Sequence, residues 1–316
     1  MSKQTPNSIP QLPAELMLEI SSWMLDLPLA YFGQHKERLT QIATSRALSQ
    51  TCQLFRGVFL PHLWSLVDGF FDGEMTVLEL RMREIVSAKY LLEHVKLISL
   101  SLHGPALRNS SCAEAFLSCI HACPNLESIK IVSLRTDRPP SADAPGAFEY
   151  LYTAFRPYSF PSVKMLVFPD LLAPVLPSFP NVRSLLCGED RPTAGFRLME
   201  AAKVYCPHLE QVTYGGFSRV MIGWIAVTTP NIERLILRTT LFEDDFSFMR
   251  TMTNLCYLEF AHRTNDNQRF PALDDCVKHA RDLLSISRNP KPKKIRIKTV
   301  SGQTDTVLSE TVIDLP

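Results

Sequence analysis

The sequence predicts an α/β fold: a small N-terminal three-helix module, then an irregular repeat solenoid built on a curved parallel sheet. Three observations predict it. Short amphipathic stretches with helical spacing crowd residues 9–68. An apolar template of strand character then recurs seven times between Val95 and Phe260. Helix-period stretches that end at proline precede several of those strands. The expected division is a helical module at 9–68, a repeat domain at 85–300 and a C-terminal tail at 301–316.

Composition narrows the class. With 46% apolar side chains and 21% charged ones, the chain has the mass for a core and is not of disordered type. Lys+Arg 33 against Asp+Glu 32 argues against a bulk nucleic-acid binder, which carries a basic excess. Pro 23 against Gly 12 suits stiff joints, and neither GxGxxG nor GxxxxGK[ST] is present to cradle a nucleotide phosphate. The polar stretch Met1–Gln11 has no apolar core of a secretory signal. The richest apolar run, Leu171–Phe179, is interrupted by Pro174 and Pro177, well short of the roughly 18 residues a membrane span requires. Eight cysteines in such a chain read as reduced thiols in small buried slots, so cytoplasm or nucleus is expected, without membrane.

The module comes first. Pro13 suits the first turn of a helix, where its missing amide donor costs nothing, and Glu15 suits the positive end of the helix dipole. Leu16, Ile20, Trp23, Met24 and Leu27 share one face, and Pro28 ends the helix. A second helix is expected over 45–55 with Leu48, Cys52 and Phe55 on a stripe, and a third ending near Leu63-Trp64. Three such helices form a thin bundle that needs a partner or a neighbouring domain. The residues "LPAELMLEI…ALSQTCQLFRGVFLPHLW" resemble an F-box in the form common in fungal chains, over Ile9–Val67, about a fifth of the chain. The resemblance implies docking on a Skp-type adaptor of a cullin ubiquitin ligase through Leu12, Pro13, Leu16, Ile20, Leu48, Cys52, Leu63 and Trp64. Residues 28–44 depart from the family by about a dozen extra residues between helices it joins briefly. Any one of these apolar residues also fits the plain core of a small bundle.

The template of the repeat is h-x-x-h-x-h, with h apolar. It reads Val95/Ile98/Leu100, Leu126/Ile129/Ile131, Val163/Leu166/Phe168, Val182/Leu185/Cys187, Leu209/Val212/Tyr214, Ile232/Leu235/Leu237 and Leu255/Leu258/Phe260. Successive starts lie 31, 37, 19, 27, 23 and 23 residues apart. The alternating pair is that of a strand with one buried face. Upstream, Ala113/Phe116/Leu117/Ile120, Leu198/Ala201/Ala202/Tyr205 and Met221/Trp224/Ile225 have helical spacing. Proline then stops the helix, often as Pro-Asn: Pro124-Asn125, Pro180-Asn181 and Pro230-Asn231. One helix and one strand cannot bury their apolar faces alone, whereas stacked units can. The pattern resembles the leucine-rich repeats found behind many F-boxes, although the consensus Asn after the strand is mostly missing. Residues 138–147 and 262–275 read as polar excursions.

Strand residues between the template positions face away from the core: Ser128, Lys130 and Val132; Met165 and Val167; Leu186; Gln211 and Thr213; Arg234, Ile236 and Arg238; Tyr257 and Glu259. Lys130, Met165, Val167, Gln211, Arg234, Arg238, Tyr257 and Glu259 are the candidate contacts for a target protein, since Arg and Tyr in a rigid apolar setting suit a protein interface. The alternative is that a loop or terminus covers Val167, Leu186 and Ile236. Cys112, Cys119, His121 and Cys123 do not make a zinc site, because His121 lies on another helix face and no second ligand pair follows. Asp244-Asp245 and Asp274-Asp275 read as solvated faces or helix starts. The five cations in Lys291–Lys298, alternating with Ile295 and Ile297, read as a basic edge strand, with a nuclear-import signal or phosphate contact as the alternative. No nucleophile or metal signature points to an enzyme, and no cofactor is expected. The expected function is target recognition for a ubiquitin ligase; the alternative is a binding scaffold outside one.

Overall fold

The computed structural model describes residues 43–51, 53–71, 75–103, 110–134, 149–187, 195–216, 218–264, 270–301 and 307–315. Ten strands among them form one sheet in chain order: β1 (Leu66–Phe71), β2 (Leu97–His103), β3 (Ser128–Leu134), β4 (Met165–Phe168), β5 (Ser184–Cys187), β6 (Gln211–Tyr214), β7 (Arg234–Leu237), β8 (Tyr257–Thr264), β9 (Lys293–Ser301) and β10 (Val307–Leu315). Neighbours are parallel from β1 to β9, and β10 runs antiparallel to β9. One strand per repeat in a long parallel array is the architecture of leucine-rich-repeat solenoids.

The apolar template explains the register. Val67, Ile98, Ile129, Leu166, Leu185, Val212, Leu235, Leu258 and Ile295 are successive Cα partners across nine strands. All nine are buried. A slip of one residue in any strand would turn its set to the opposite face, so burial of this row fixes the pairing. Each buried Leu or Ile contributes about 1.5–3 kcal/mol. Helices cover this face: Phe116 and Ile120 of Ser110–Ala122, Leu198 and Ala202 of Phe196–Tyr205, Met221 and Ile225 of Arg219–Thr228, and Ala280 and Leu284 of Leu273–Ser285 are all buried in the same core. Tyr205, expected on the inner stripe, is 45% exposed at the last turn of its helix. Between β4 and β5 the two prolines of Asp170–Ser178 remove α-type hydrogen bonds, and a 3-10 segment takes the helix's place.

A second regularity ties the repeats together at the entry to each strand. The carbonyls of Lys96, Glu127, Lys164, Arg183, Glu210 and Glu233 each accept two successive amide hydrogens from the next repeat, at 2.8–3.1 Å. Asparagines ahead of the strands, two of them in Pro-Asn pairs, supply a side-chain counterpart. Asn125 Nδ2 donates to the Glu93 carbonyl at 2.7 Å and Asn181 Nδ2 to that of Pro161 at 3.0 Å. Asn254 Nδ2 donates to Asn231 and Asn289 Nδ2 to Asn254, both at 2.9 Å. Asparagine here precedes the strand and hands a donor back to the preceding turn.

The ends of the sheet lie beyond the expected repeat domain. β1 begins one residue after Ser65, inside the span assigned to the helical module, and the Met75–Ser87 helix packs on β1 through the span left unassigned. The expected tail at 301–316 carries β10, so the basic strand β9 is penultimate and β10 is the edge. The second and third expected helices divide elsewhere: residues 43–49 are helical, and Gln53–Trp64 is one helix that contains Pro61 in its last turn.

Candidate binding face

The face opposite the helices carries the residues between template positions. In register across it run Met165, Ser184, Gln211, Arg234, Tyr257 and Lys294, and beside them Lys130, Val167, Leu186, Thr213, Ile236, Glu259 and Arg296. Ser184, Lys294 and Arg296 are additions to the expected set; the others share one face as the alternation predicts, but their exposure differs from expectation. Val132, Val167, Leu186, Thr213, Tyr257 and Glu259 are buried, with Val167 only 1% exposed. Lys130, Met165, Gln211, Ile236 and Arg238 are half-buried, and Arg234 is exposed. A residue in a sheet interior has side-chain neighbours on both adjacent strands, which an alternation rule applied strand by strand does not count.

The charged end of the face is built by β7 to β10. Glu259 is buried, yet its carboxylate is satisfied: it accepts the Tyr257 hydroxyl at 2.7 Å and Lys298 Nζ at 2.6 Å, with Arg296 Nη1 3.7 Å away. Arg296 reaches over to β10, where its Nε and Nη2 donate to the two oxygens of Glu310, each at 2.8 Å. This bidentate fork holds the Glu310 carboxyl below its ordinary range and the Arg296 guanidinium above its own. Burial, followed by the bond to Glu259, pushes the Tyr257 hydroxyl up to about 12. Fixed through its hydroxyl, the Tyr257 ring becomes a platform: the Arg234 guanidinium carbon lies 4.2 Å from its centroid.

Between these groups opens a cleft of about 640 Å³, lined by Arg234, Cys256, Tyr257, Lys291, Pro292, Lys294, Arg296, Glu310 and Val312. Its cations outnumber its carboxylates. Lys291 Nζ is taken by Glu233 at 2.5 Å, which raises its affinity for the proton. Lys294 lies 3.7 Å from Asp314, itself 79% exposed, and its charge also acts on Glu310. Arg234 has no carboxylate partner among the described residues. Lys294, Arg296, Lys298 and Glu310 were not chosen from sequence as contacts; the signal for the first three was the alternation with Ile295 and Ile297. That for Glu310 was the β-rich run Thr311-Val312-Ile313, hidden by reading 301–316 as a tail.

Elsewhere the expected sites fare as follows. Leu12, Pro13, Leu16, Ile20 and Cys52 lie outside the described residues; Leu48, Leu63 and Trp64 are half-buried. Cys119 and Cys123 are buried and share a sulfur hydrogen bond, Cys119 held up by that bond and Cys123 held down by it. His121 is exposed and lies against the Tyr158 ring instead, at 6.0 Å between centroids. No three His, Cys, Asp or Glu side chains converge as a metal site among the described residues. No helix among them is long and apolar enough to cross a membrane.

No known family model matches the chain, and no curated protein matches it in sequence. Among solved structures it is similar to the leucine-rich-repeat-containing protein LegL7 from Legionella pneumophila, at 12% identity and a TM-score of 0.41, covering 77% of this chain and 85% of that one.

Proposed function

We propose that this chain is a non-catalytic binding scaffold: the strand face of its repeats holds a target protein, and its N-terminal module docks on a Skp-type adaptor, presenting the target to a cullin ubiquitin ligase in the cytoplasm or nucleus. The observation that carries the scaffold reading is the charged cleft at the end of one continuous sheet, where an exposed Arg234 is held on Tyr257 in a frame of satisfied ion pairs. Fixed aromatic and Arg groups are what protein interfaces concentrate. Adaptor docking rests on the F-box resemblance of 9–67. Joining two proteins on one chain raises their effective concentration for each other, and no bond is made or broken here.

A second reading, a scaffold outside a ligase whose front helices cap the solenoid, is favoured by one observation. The Gln53–Trp64 helix packs against β1 and the Lys89–Leu92 helix, and only Ser65 separates it from the sheet. Co-purification distinguishes the two. L16A/I20A should lose a co-expressed Skp-type adaptor while keeping the wild-type urea transition of the repeats; recovery of the adaptor by the double mutant contradicts the docking assignment.

A further inference from the structure

The Arg219–Thr228 helix is apolar on both sides. Met221, Ile222, Ile225 and Ala226 enter the core. Its outer stripe is Val220, Gly223, Trp224 and Val227, with Val220 69% and Val227 64% exposed. The one charged residue, Arg219, stands in the first turn with its guanidinium held 4.1 Å from the Phe242 ring centre. The Leu273–Ser285 helix, by contrast, turns Asp275, Lys278 and Asp282 to water. A helix apolar all round belongs inside a packed body. We propose that this outer stripe is a homodimer interface, on which the same helix of a second copy packs antiparallel, with Trp224 of each copy seated on Gly223 of the other.

Gly223 is the first argument for a second helix as the occupant. Glycine inside a helix is less stable than alanine there, and the chain itself does not require it: a Cβ on Gly223 would meet the Phe248 ring at 3.7 Å, an ordinary contact. The missing methyl group makes room for something outside the chain. The stripe is also its own complement. Its steps of three, one and three residues read the same from either end. A two-fold axis between Gly223 and Trp224 therefore sets Val220 on Val227 of the second copy and the large indole on the small glycine. Trp224 Nε1 is buried without an acceptor among the described residues, so the ring can repack on a partner without breaking a hydrogen bond. Phe248 borders the stripe at Gly223. Val204 extends it, exposed at the end of the neighbouring Phe196–Tyr205 helix as Val227 is at the end of its own. These side chains offer on the order of 500 Å² per copy, so a pair buries about 1,000 Å², the threshold of a specific interface. The helices and the strand face lie on opposite sides of the sheet, so the pair leaves both strand faces open and makes a bivalent scaffold. The inference goes beyond the scaffold reading and does not depend on it.

Sedimentation equilibrium of the full-length chain is the test. Between about 1 and about 300 µM, where an interface this small half-assembles, the mean mass should climb from 35.7 kDa toward twice that value. V220E and V227K, both at exposed positions, should keep the wild-type urea transition and each weaken self-association about tenfold or more. Mixed in equal amounts the two should associate again, because antiparallel pairing alone brings the new carboxylate onto the new ammonium. G223A should raise the urea midpoint at the lowest concentration, where the chain is monomeric, since alanine favours the helix. The same variant should weaken association about tenfold by filling the place of the indole. A chain that stays monomeric through the range, or a V220E/V227E double mutant that associates like wild type, overturns the interface. Failure of the mixed single mutants to pair, or undiminished association of G223A, overturns the antiparallel packing.

Discussion

Glu310 illustrates how a single side chain holds the charged end of the face. Its folded-state proton affinity is depressed by the Arg296 fork, so the pair stabilises the chain above the ordinary carboxyl value of 4.5 and is lost as pH falls through the lower folded value. E310Q should therefore lower stability at about pH 7 and by less at about pH 3. Because each partner side chain is 36% exposed, the neutral-pH loss should stay below about 1 kcal/mol. Urea titration at the two pH values measures it. Leu235 sits at the other extreme, fully buried in the middle of the apolar row. L235A should cost about 2–5 kcal/mol, read in the same titration.

At the scale of elements, the apolar half of the fold was legible and the polar half only partly. The template predicted β2 to β8 because each inward pair is drawn from Leu, Ile, Val, Cys and the aromatics, a signal that survives uneven spacing. Tyr214 and Cys187 fit the template and are buried, as expected. What the template could not predict was the role of asparagine: the residues were visible before the strands, some as Pro-Asn, but their bonds to the previous turn exist only once repeats stack. N254A removes a donor to Asn231 and should destabilise the chain by about 1 kcal/mol. The same change at Asn231, which accepts that bond through its backbone carbonyl, should cost less. β10 was missed because its outward side chains face water on an edge, so it lacks the apolar contrast that marked the inner strands. Deleting residues 307–316 should strip Arg296 of its fork and lower the urea midpoint.

For the whole molecule, the division into a grip and a holding face was read from two signals of different strength. The repeats announced themselves by periodicity, and the sheet follows it. The module was read through resemblance at Leu12, Pro13, Leu16 and Ile20, which lie outside the described residues. Since β1 starts at Leu66, removing the module by truncation before Asp68 would cut the first strand. Point substitutions separate the two functions without that damage. The central claim is that two surfaces on one chain act independently. Quantitative affinity purification of wild type, L16A/I20A and R234Q/K294Q tests it most directly. The account predicts that the first double mutant loses the Skp-type adaptor and keeps its target, and that the second loses the target and keeps the adaptor. Loss of both partners in either mutant, or of neither in both, would contradict it.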